Sequence, residues 1–323
     1  MTNLNMNTSI GRYIEDKKGH TGEITYKNYL SEINLFLNFM NENLYNKGEF
    51  TERITVNNFD RFLKKFTVTM VNDYKFYLID PQNGYEPSSV SKKITIMKNF
   101  IKFLFDNEYI EKDFSHAIKN VKVPEKKVIS LDADEVELLL KNSSNLKGAN
   151  ALRDELIIKL ILTCGFRSFE IRELEIGNID FEKSKVTFRA KRDFEGETTD
   201  LPIDNRLLGK LRKYIDVNRK EGVGEHKNIL FTTRLGGMLS TQSLIDLIKK
   251  RLIECGISEE KASIITTHKL RSSYITFLVR KGVNTLEVQK MARHKSASTT
   301  AKYVNVDDKR KVEITNIAFA DLI

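Results

Sequence analysis

A mainly helical protein of two domains, the second carrying one small antiparallel sheet, is predicted by three features of the chain. Apolar residues recur at spacings of three and four along most of its length, the mark of helices with one buried stripe. Strand-like segments cluster in one region only, between Ile179 and Ile203. A basic stretch interrupted by Pro124, residues 119–130, separates two helical blocks and reads as an interdomain linker. The 323 residues suffice for two cores.

Residues 1–20 show no clear period and are expected to form a flexible amino-terminal arm. Residues 21–118 form the first helical domain. Ile33, Phe36, Leu37, Met40 and Leu44 lie on one stripe, Val71, Tyr74, Tyr77 and Leu78 mark a helix from about Thr67 to Leu78, and Asp80-Pro-Gln-Asn-Gly84 breaks the pattern. A further helix from Ser88 buries Val90, Ile94, Met97, Ile101 and Leu104 and turns Lys92, Lys93, Lys98 and Lys102 away from that stripe. Those lysines suit either phosphate contacts or a solvated face. Lys126 and Lys127 add charge to the linker, which would lie naturally along phosphates.

The second domain, residues 131–323, opens on Asp132-Ala-Asp-Glu135, which resembles an N-cap with a reciprocal carboxylate three residues on. An almost wholly apolar helix from about Ala149 to Thr163 stops at Gly165. Arg167 and Glu170 follow, spaced so that the carboxylate can steady the guanidinium on a helix. Ile179–Phe181, Lys185–Ala190 and Thr198–Ile203 read as short strands, with Lys191 at the entrance of the hairpin turn. Helical patterns resume from Asp204 to about Lys220 and from Ser240 to Cys255. Residues 306–323 form an amphipathic end segment with Val312, Ile314, Ile317 and Phe319 on its apolar side.

Composition excludes several classes. Lys and Arg number 53 against 44 Asp and Glu, a net charge of +9 that favours a nucleic-acid partner. Two cysteines, Cys164 and Cys255, cannot make a disulfide framework and read as reduced core residues of a cytosolic protein. No apolar run is long enough for a membrane span or a signal peptide. A Gly-rich phosphate loop followed by Lys-Ser/Thr is missing, which argues against an ATP-driven enzyme. His268 and His294 lack Cys, Asp or Glu partners at ligand spacing, so neither metal nor cofactor is expected.

The chemistry concentrates in Thr266–Tyr303. His268 and Arg271 share one helical face, His294 follows, and Tyr303 stands nine positions beyond it. Imidazoles, a guanidinium and a phenol together suit an anion whose charge must be held while a hydroxyl attacks it.

The order Arg167, Glu170, Lys191, His268-Lys-Leu-Arg271, His294 and Tyr303 resembles the catalytic set of the tyrosine recombinases, the phage integrase family. The motifs cover residues 131–323. The amino-terminal block is similar, by helix pattern alone, to that family's SAM-like core-binding domain. The resemblance implies that Arg167 and Arg271 clamp a scissile phosphate, that His268 and His294 hydrogen-bond it, that Tyr303 attacks it and that Lys191 protonates the leaving oxygen, with Glu170 orienting its neighbours. It further implies a metal-free enzyme, cytoplasmic and nucleoid-associated, that closes as a C-shaped clamp on double-stranded DNA at a specific core site. A tetramer would exchange strands through a Holliday junction, with residues 306–323 packing into a neighbouring protomer and an accessory directionality or chromosome-processing protein as a further partner. Three positions depart from the family pattern: Phe169 replaces a usual serine, Ser272 a frequent histidine, and Arg293 the glycine that commonly precedes the histidine. Length favours a compact resolvase or mobile-element enzyme over a long-armed integrase. A type IB topoisomerase would use nearly the same residues without exchanging partners, and a non-catalytic DNA-binding module would not need Tyr303.

Overall fold

The computed structural model describes residues 4–20, 23–48, 50–124, 128–189, 198–294 and 296–303. The chain divides into two compact units, Met1–Lys126 and Lys127–Ile323.

The first unit is helical: α1 (Ser9–His20), α2 (Glu23–Met40), α3 (Val68–Ile79) and α4 (Pro87–Asp106), with short 3-10 turns between and after them. Its core is rich in aromatic rings. Phe36 meets Tyr74 edge-on at 5.1 Å, and Phe59 contacts Phe66 at 5.5 Å and Phe100 at 5.8 Å, geometries that add to plain apolar burial.

The expected flexible arm over residues 1–20 is corrected here. Ser9–His20 is a helix whose Ile10, Tyr13 and Ile14 are buried in the aromatic core. Its start is fixed from a distance, since the Asp60 carboxylate accepts from the Ser9 backbone N–H at 3.0 Å, satisfying a donor that the helix itself leaves over. Three apolar residues in a polar segment are too few to give a visible period, and the partner that caps them lies 51 residues away.

A second correction concerns the lysines of α4. Lys93 does not face outward: its ammonium pairs with Glu32 of α2 at 2.7 Å and lies 5.0 Å from the Tyr85 ring centre. Lys92 and Lys102 are exposed, Lys102 near Asp106, while half-buried Lys98 reaches Asn120 at 3.4 Å. Lys126, Lys127 and Lys191 lie outside the described residues, as does the segment 306–323.

In the second unit, α5 (Ala133–Asn142) begins with a reciprocal cap. Asp132 accepts from the Glu135 N–H at 2.9 Å, and Glu135 accepts from the Asp132 N–H at 2.8 Å. α6 (Ala151–Cys164) is the central helix, burying Leu156, Ile157, Ile158, Leu160 and Ile161 completely. After α7 (Ser168–Arg172), the strands β1 (Ile179–Asp180), β2 (Lys185–Arg189) and β3 (Thr198–Pro202) form an antiparallel sheet in that order. Val186 pairs with Leu201 on the buried face. The remaining helices are α8 (Asn205–Lys213), α9 (Thr241–Glu254), α10 (Glu259–Ile264), α11 (Thr267–Arg280), α12 (Thr285–Met291) and α13 (Ala297–Ala301).

α11 packs along α6 and α5. Ser273 on α11 accepts from the Leu131 N–H at 2.8 Å, which ties the start of the unit to the helix that carries His268 and Arg271. Inside the core, Asp154 is shared by Arg153 at 2.8 Å and Arg251 at 2.7 Å, a buried charge matched on both sides. Cys164 and Cys255 are both buried and unbridged. Among the described residues, no helix is long and apolar enough to cross a membrane.

The placement of α1 is checked by Ile10→Ala. Removing this fully buried side chain should destabilise the first unit by about 2–5 kcal/mol, read as a lowered urea midpoint. An unchanged midpoint would mean that α1 contributes nothing to the core.

Candidate active site

α6 ends at Gly165, whose backbone turns left-handed at φ +62°. A side chain there would be strained, and its Cβ would fall 2.5 Å from the Tyr274 ring, so the break between helix and site requires glycine. The turn leaves the carbonyls of Cys164 and Gly165 pointing off the helix end, and guanidinium groups gather on them.

Arg271, on the first turns of α11, is 2% exposed. It donates to the Gly165 and Ala292 carbonyls. These two bonds fix the plane of a group with five N–H donors. Burial first, then the neighbouring Arg167 and Arg293, push its pKa down to about 9.

Arg167 caps α7. Glu170, itself buried, accepts from the Arg167 backbone N–H at 2.7 Å and from its guanidinium at 2.8 Å. The other arm of the Arg167 guanidinium donates to the Arg293 carbonyl at 2.8 Å. The expected Arg167–Glu170 contact is therefore made, with Arg167 at the helix cap rather than inside the helix.

His268 stands one turn before Arg271 on α11, exposed at the surface of the unit. Partial burial first, and then Arg271 and Arg167, lower its pKa. His294 follows α12 and pairs with the Thr300 hydroxyl at 2.9 Å, while its carbonyl accepts from Gln289 at 3.1 Å. Burial, then Arg271 and Arg167 among its charged neighbours, push its pKa down to about 4. Both shifts favour the neutral imidazole, which carries one N–H donor.

Tyr303 follows α13, and its N–H closes a turn onto the Thr300 carbonyl at 2.9 Å. Its ring stacks on His294 at 6.3 Å and an interplanar angle of 25°. The ring also packs on a small cluster of Tyr274, Ile275, Val288 and Ala292. The phenol oxygen lies 3.1 Å from the Ser272 hydroxyl. Ser272 also lies 3.1 Å from the His268 carbonyl, to which it donates. When that proton sits on the His268 carbonyl, the phenol is the donor to Ser272; when it turns to the phenol oxygen, Ser272 donates. The structure thus brings Arg167, Glu170, Arg271, His294 and Tyr303 into one connected set with His268 beside it.

Three partners lie outside the expected catalytic set, although Ser272 and Arg293 already stand out as departures from the family pattern. Ser272 and Thr300 are ordinary helix residues whose roles depend on where Tyr303 and His294 fall. Arg293 is visible in sequence only as an unusual neighbour of His294. It occupies a left-handed backbone at φ +55°, a conformation that costs a side-chain-bearing residue about 1–2 kcal/mol. Its guanidinium reaches Glu170 at 2.7 Å, the Gly165 carbonyl at 2.9 Å and the Cys164 carbonyl at 3.2 Å.

Comparison with known proteins agrees with this geometry. A sequence model of the phage integrase family matches residues 130–310, more than half of the chain, and the protein belongs to that family. It is similar to the tyrosine recombinase XerC of Natranaerobius thermophilus, 26% identical over 315 residues, covering 94% of this chain and 96% of the relative. The tyrosine recombinase XerD of Staphylococcus aureus is also 26% identical, over 299 residues, covering 91% and 92% of the two chains. The fold matches the XerH recombinase bound to its difH substrate, with a TM-score of 0.64, 18% identity, and coverage of 97% of this chain and 85% of that one. It also matches the Tn1549 transposon integrase in complex with a circular intermediate DNA, with a TM-score of 0.68, 14% identity, and coverage of 96% and 99%. The protein is a site-specific tyrosine recombinase, an enzyme that breaks and rejoins DNA strands.

The depressed His294 pKa has a consequence for stability. Unfolded, this imidazole binds a proton below its ordinary value of 6.5; folded, it does so only near 4. Between those values the unfolded chain holds more protons, so stability is full above pH 6.5 and is lost as pH falls toward 4. In urea titrations of the free protein from pH 4 to 7, His294→Asn should flatten part of that rise. An unaltered pH dependence would show that His294 titrates normally.

Proposed function

We propose that Tyr303 is the nucleophile of this recombinase, and that Arg167, Arg271, His268 and His294 hold the phosphate it attacks. The observation that carries this reading is the stacking of the Tyr303 phenol on His294, in a set of side chains joined through backbone carbonyls to both arginines.

Attack of the phenol oxygen on a DNA phosphodiester forms a Tyr303–phosphorus bond and breaks the bond to the 5′ oxygen. A 3′-phosphotyrosyl link and a free 5′-hydroxyl result. Charge builds on the nonbridging oxygens in the transition state, where rigid, permanently charged guanidiniums act most strongly. The two neutral imidazoles donate hydrogen bonds there without adding repulsion against the arginines. His268 assists removal of the phenolic proton, while Lys191 delivers a proton to the departing oxygen. Glu170 holds Arg167 in place. The covalent link conserves the phosphoester, so the reverse attack by a 5′-hydroxyl, of the same or another strand, rejoins DNA without nucleotide hydrolysis.

The proposal extends to DNA contacts by Lys92, Lys98 and Lys102 of α4, and by Lys126 and Lys127. Lys93 takes no part, since Glu32 holds it. XerH and the Tn1549 integrase are seen bound to DNA, which supports duplex DNA as the substrate here. A homotetramer exchanging strands through a Holliday junction, with residues 306–323 coupling neighbours, completes the reading, as does action on chromosomal DNA in the cytoplasm.

On a nicked duplex carrying the core site, the wild-type protein should form a covalent adduct seen as a shifted band in denaturing electrophoresis. Tyr303→Phe should bind the DNA but form none, whereas other tyrosine variants retain the band. Arg167→Ala and Arg271→Ala should each slow adduct formation roughly 100-fold or more. A band that persists in Tyr303→Phe would overturn the assignment.

A further inference from the structure

Arg293 has a left-handed backbone, φ +55°, yet its side chain is not directed into solvent. Its guanidinium donates to Glu170 and to the two carbonyls that end α6, and its own carbonyl accepts from Arg167. Arg167, Glu170 and Arg293 therefore form a closed ring. Arg167 grips Glu170 with one arm and the Arg293 carbonyl with the other, while Arg293 returns to the second oxygen of the same Glu170.

We propose that Arg293 is a positioning residue for strand cleavage, orienting Arg167 from two sides and sharing the charge of Glu170 so that Arg167 keeps its field for the phosphate. The inference rests on the reading of Arg167 as part of the phosphate clamp.

A buried carboxylate facing a single guanidinium is neutralised by it, and that guanidinium is then held as half of an ion pair. Here Glu170 is 4% exposed and faces two guanidiniums, with Arg271 a third cation close enough to be perturbed by both arginines. Arg271 and Arg293 also share the Gly165 carbonyl, so among the described residues one carboxylate stands among three guanidiniums, a surplus of positive charge. Glycine at 293 would supply the left-handed backbone and the carbonyl but not the second partner for Glu170. The pocket would lose one cation, and Arg167 would be drawn more fully onto Glu170. Geometry follows the same line: the bonds from Arg293 to the Cys164 and Gly165 carbonyls pin the turn that immediately precedes Arg167.

The test is single-turnover cleavage of a nicked core-site duplex at saturating DNA, using Arg293→Gly, Glu170→Gln and the double variant, with affinity measured separately in a Tyr303→Phe background. Glycine accepts φ +55° without strain. Should Arg293→Gly melt below the assay temperature, Arg293→Asn, which also tolerates that backbone, takes its place. The expected result is a roughly tenfold or greater loss of rate in Arg293→Gly with affinity within about twofold. The double variant should be about as slow as the slower single variant, because both act through Arg167. A wild-type cleavage rate, a loss confined to affinity, or multiplicative losses in the double variant would each overturn the inference. Arg167→Ala separates the two levels. If it cleaves normally, the clamp reading fails; if it is inactive while Arg293→Gly is normal, the inference alone fails.

Discussion

The catalytic unit depends on how three guanidinium groups are kept close together without repelling the fold apart. Backbone carbonyls and one carboxylate do this. Cys164 and Gly165 at the end of α6, with Ala292 and Arg293 after α12, present four carbonyls that accept from Arg271, Arg293 and Arg167. Among the described residues, Glu170 supplies the one negative charge. Such an arrangement is costly in isolation, as the lowered pKa values of Arg271 and Arg293 reflect, with burial the first cause in each. In the phosphate site proposed above that cost is useful, because an arriving anion would relieve it.

The contrast with Asp154 within the same unit is instructive. There, too, one carboxylate takes two arginines, but Arg251 also pairs with the Glu254 carboxylate, so that among the described residues two guanidiniums meet two carboxylates. That arrangement is satisfied as it stands. Among the described residues the Glu170 cluster sets three guanidiniums against one carboxylate, a difference in charge that suits the phosphate site proposed for it.

Much of this was legible in the sequence, for identifiable reasons. Helices with strong stripes, such as α4 and α6, announce themselves through periodicity alone, and the Asp132–Glu135 cap is a local motif satisfied within one turn. The gathering of Arg167, Glu170, His268, Arg271, His294 and Tyr303 in one place is readable because each residue type is chemically distinctive and their order carries information, while Lys191 lies outside the described residues. What escaped depends on distant partners. α1 is fixed by Asp60 and an aromatic core assembled from four helices, none of it visible in residues 9–20 themselves. Lys93 has the same periodic position as an outward lysine, and only Glu32 on another helix turns it inward. Ser272 and Thr300 gain meaning solely from where Tyr303 and His294 come to rest.

The Tyr303 phenol is held by the Ser272 hydroxyl and the His294 ring. The central claim, that this phenol is the group that becomes bonded to DNA, is tested most directly by mass spectrometry of the covalent complex. After trapping on a nicked core-site duplex and digestion with nuclease and protease, the peptide containing Tyr303 should carry a nucleotide linked through its 3′-phosphate. A nucleotide found on any other residue, or a 5′ linkage, would contradict the account.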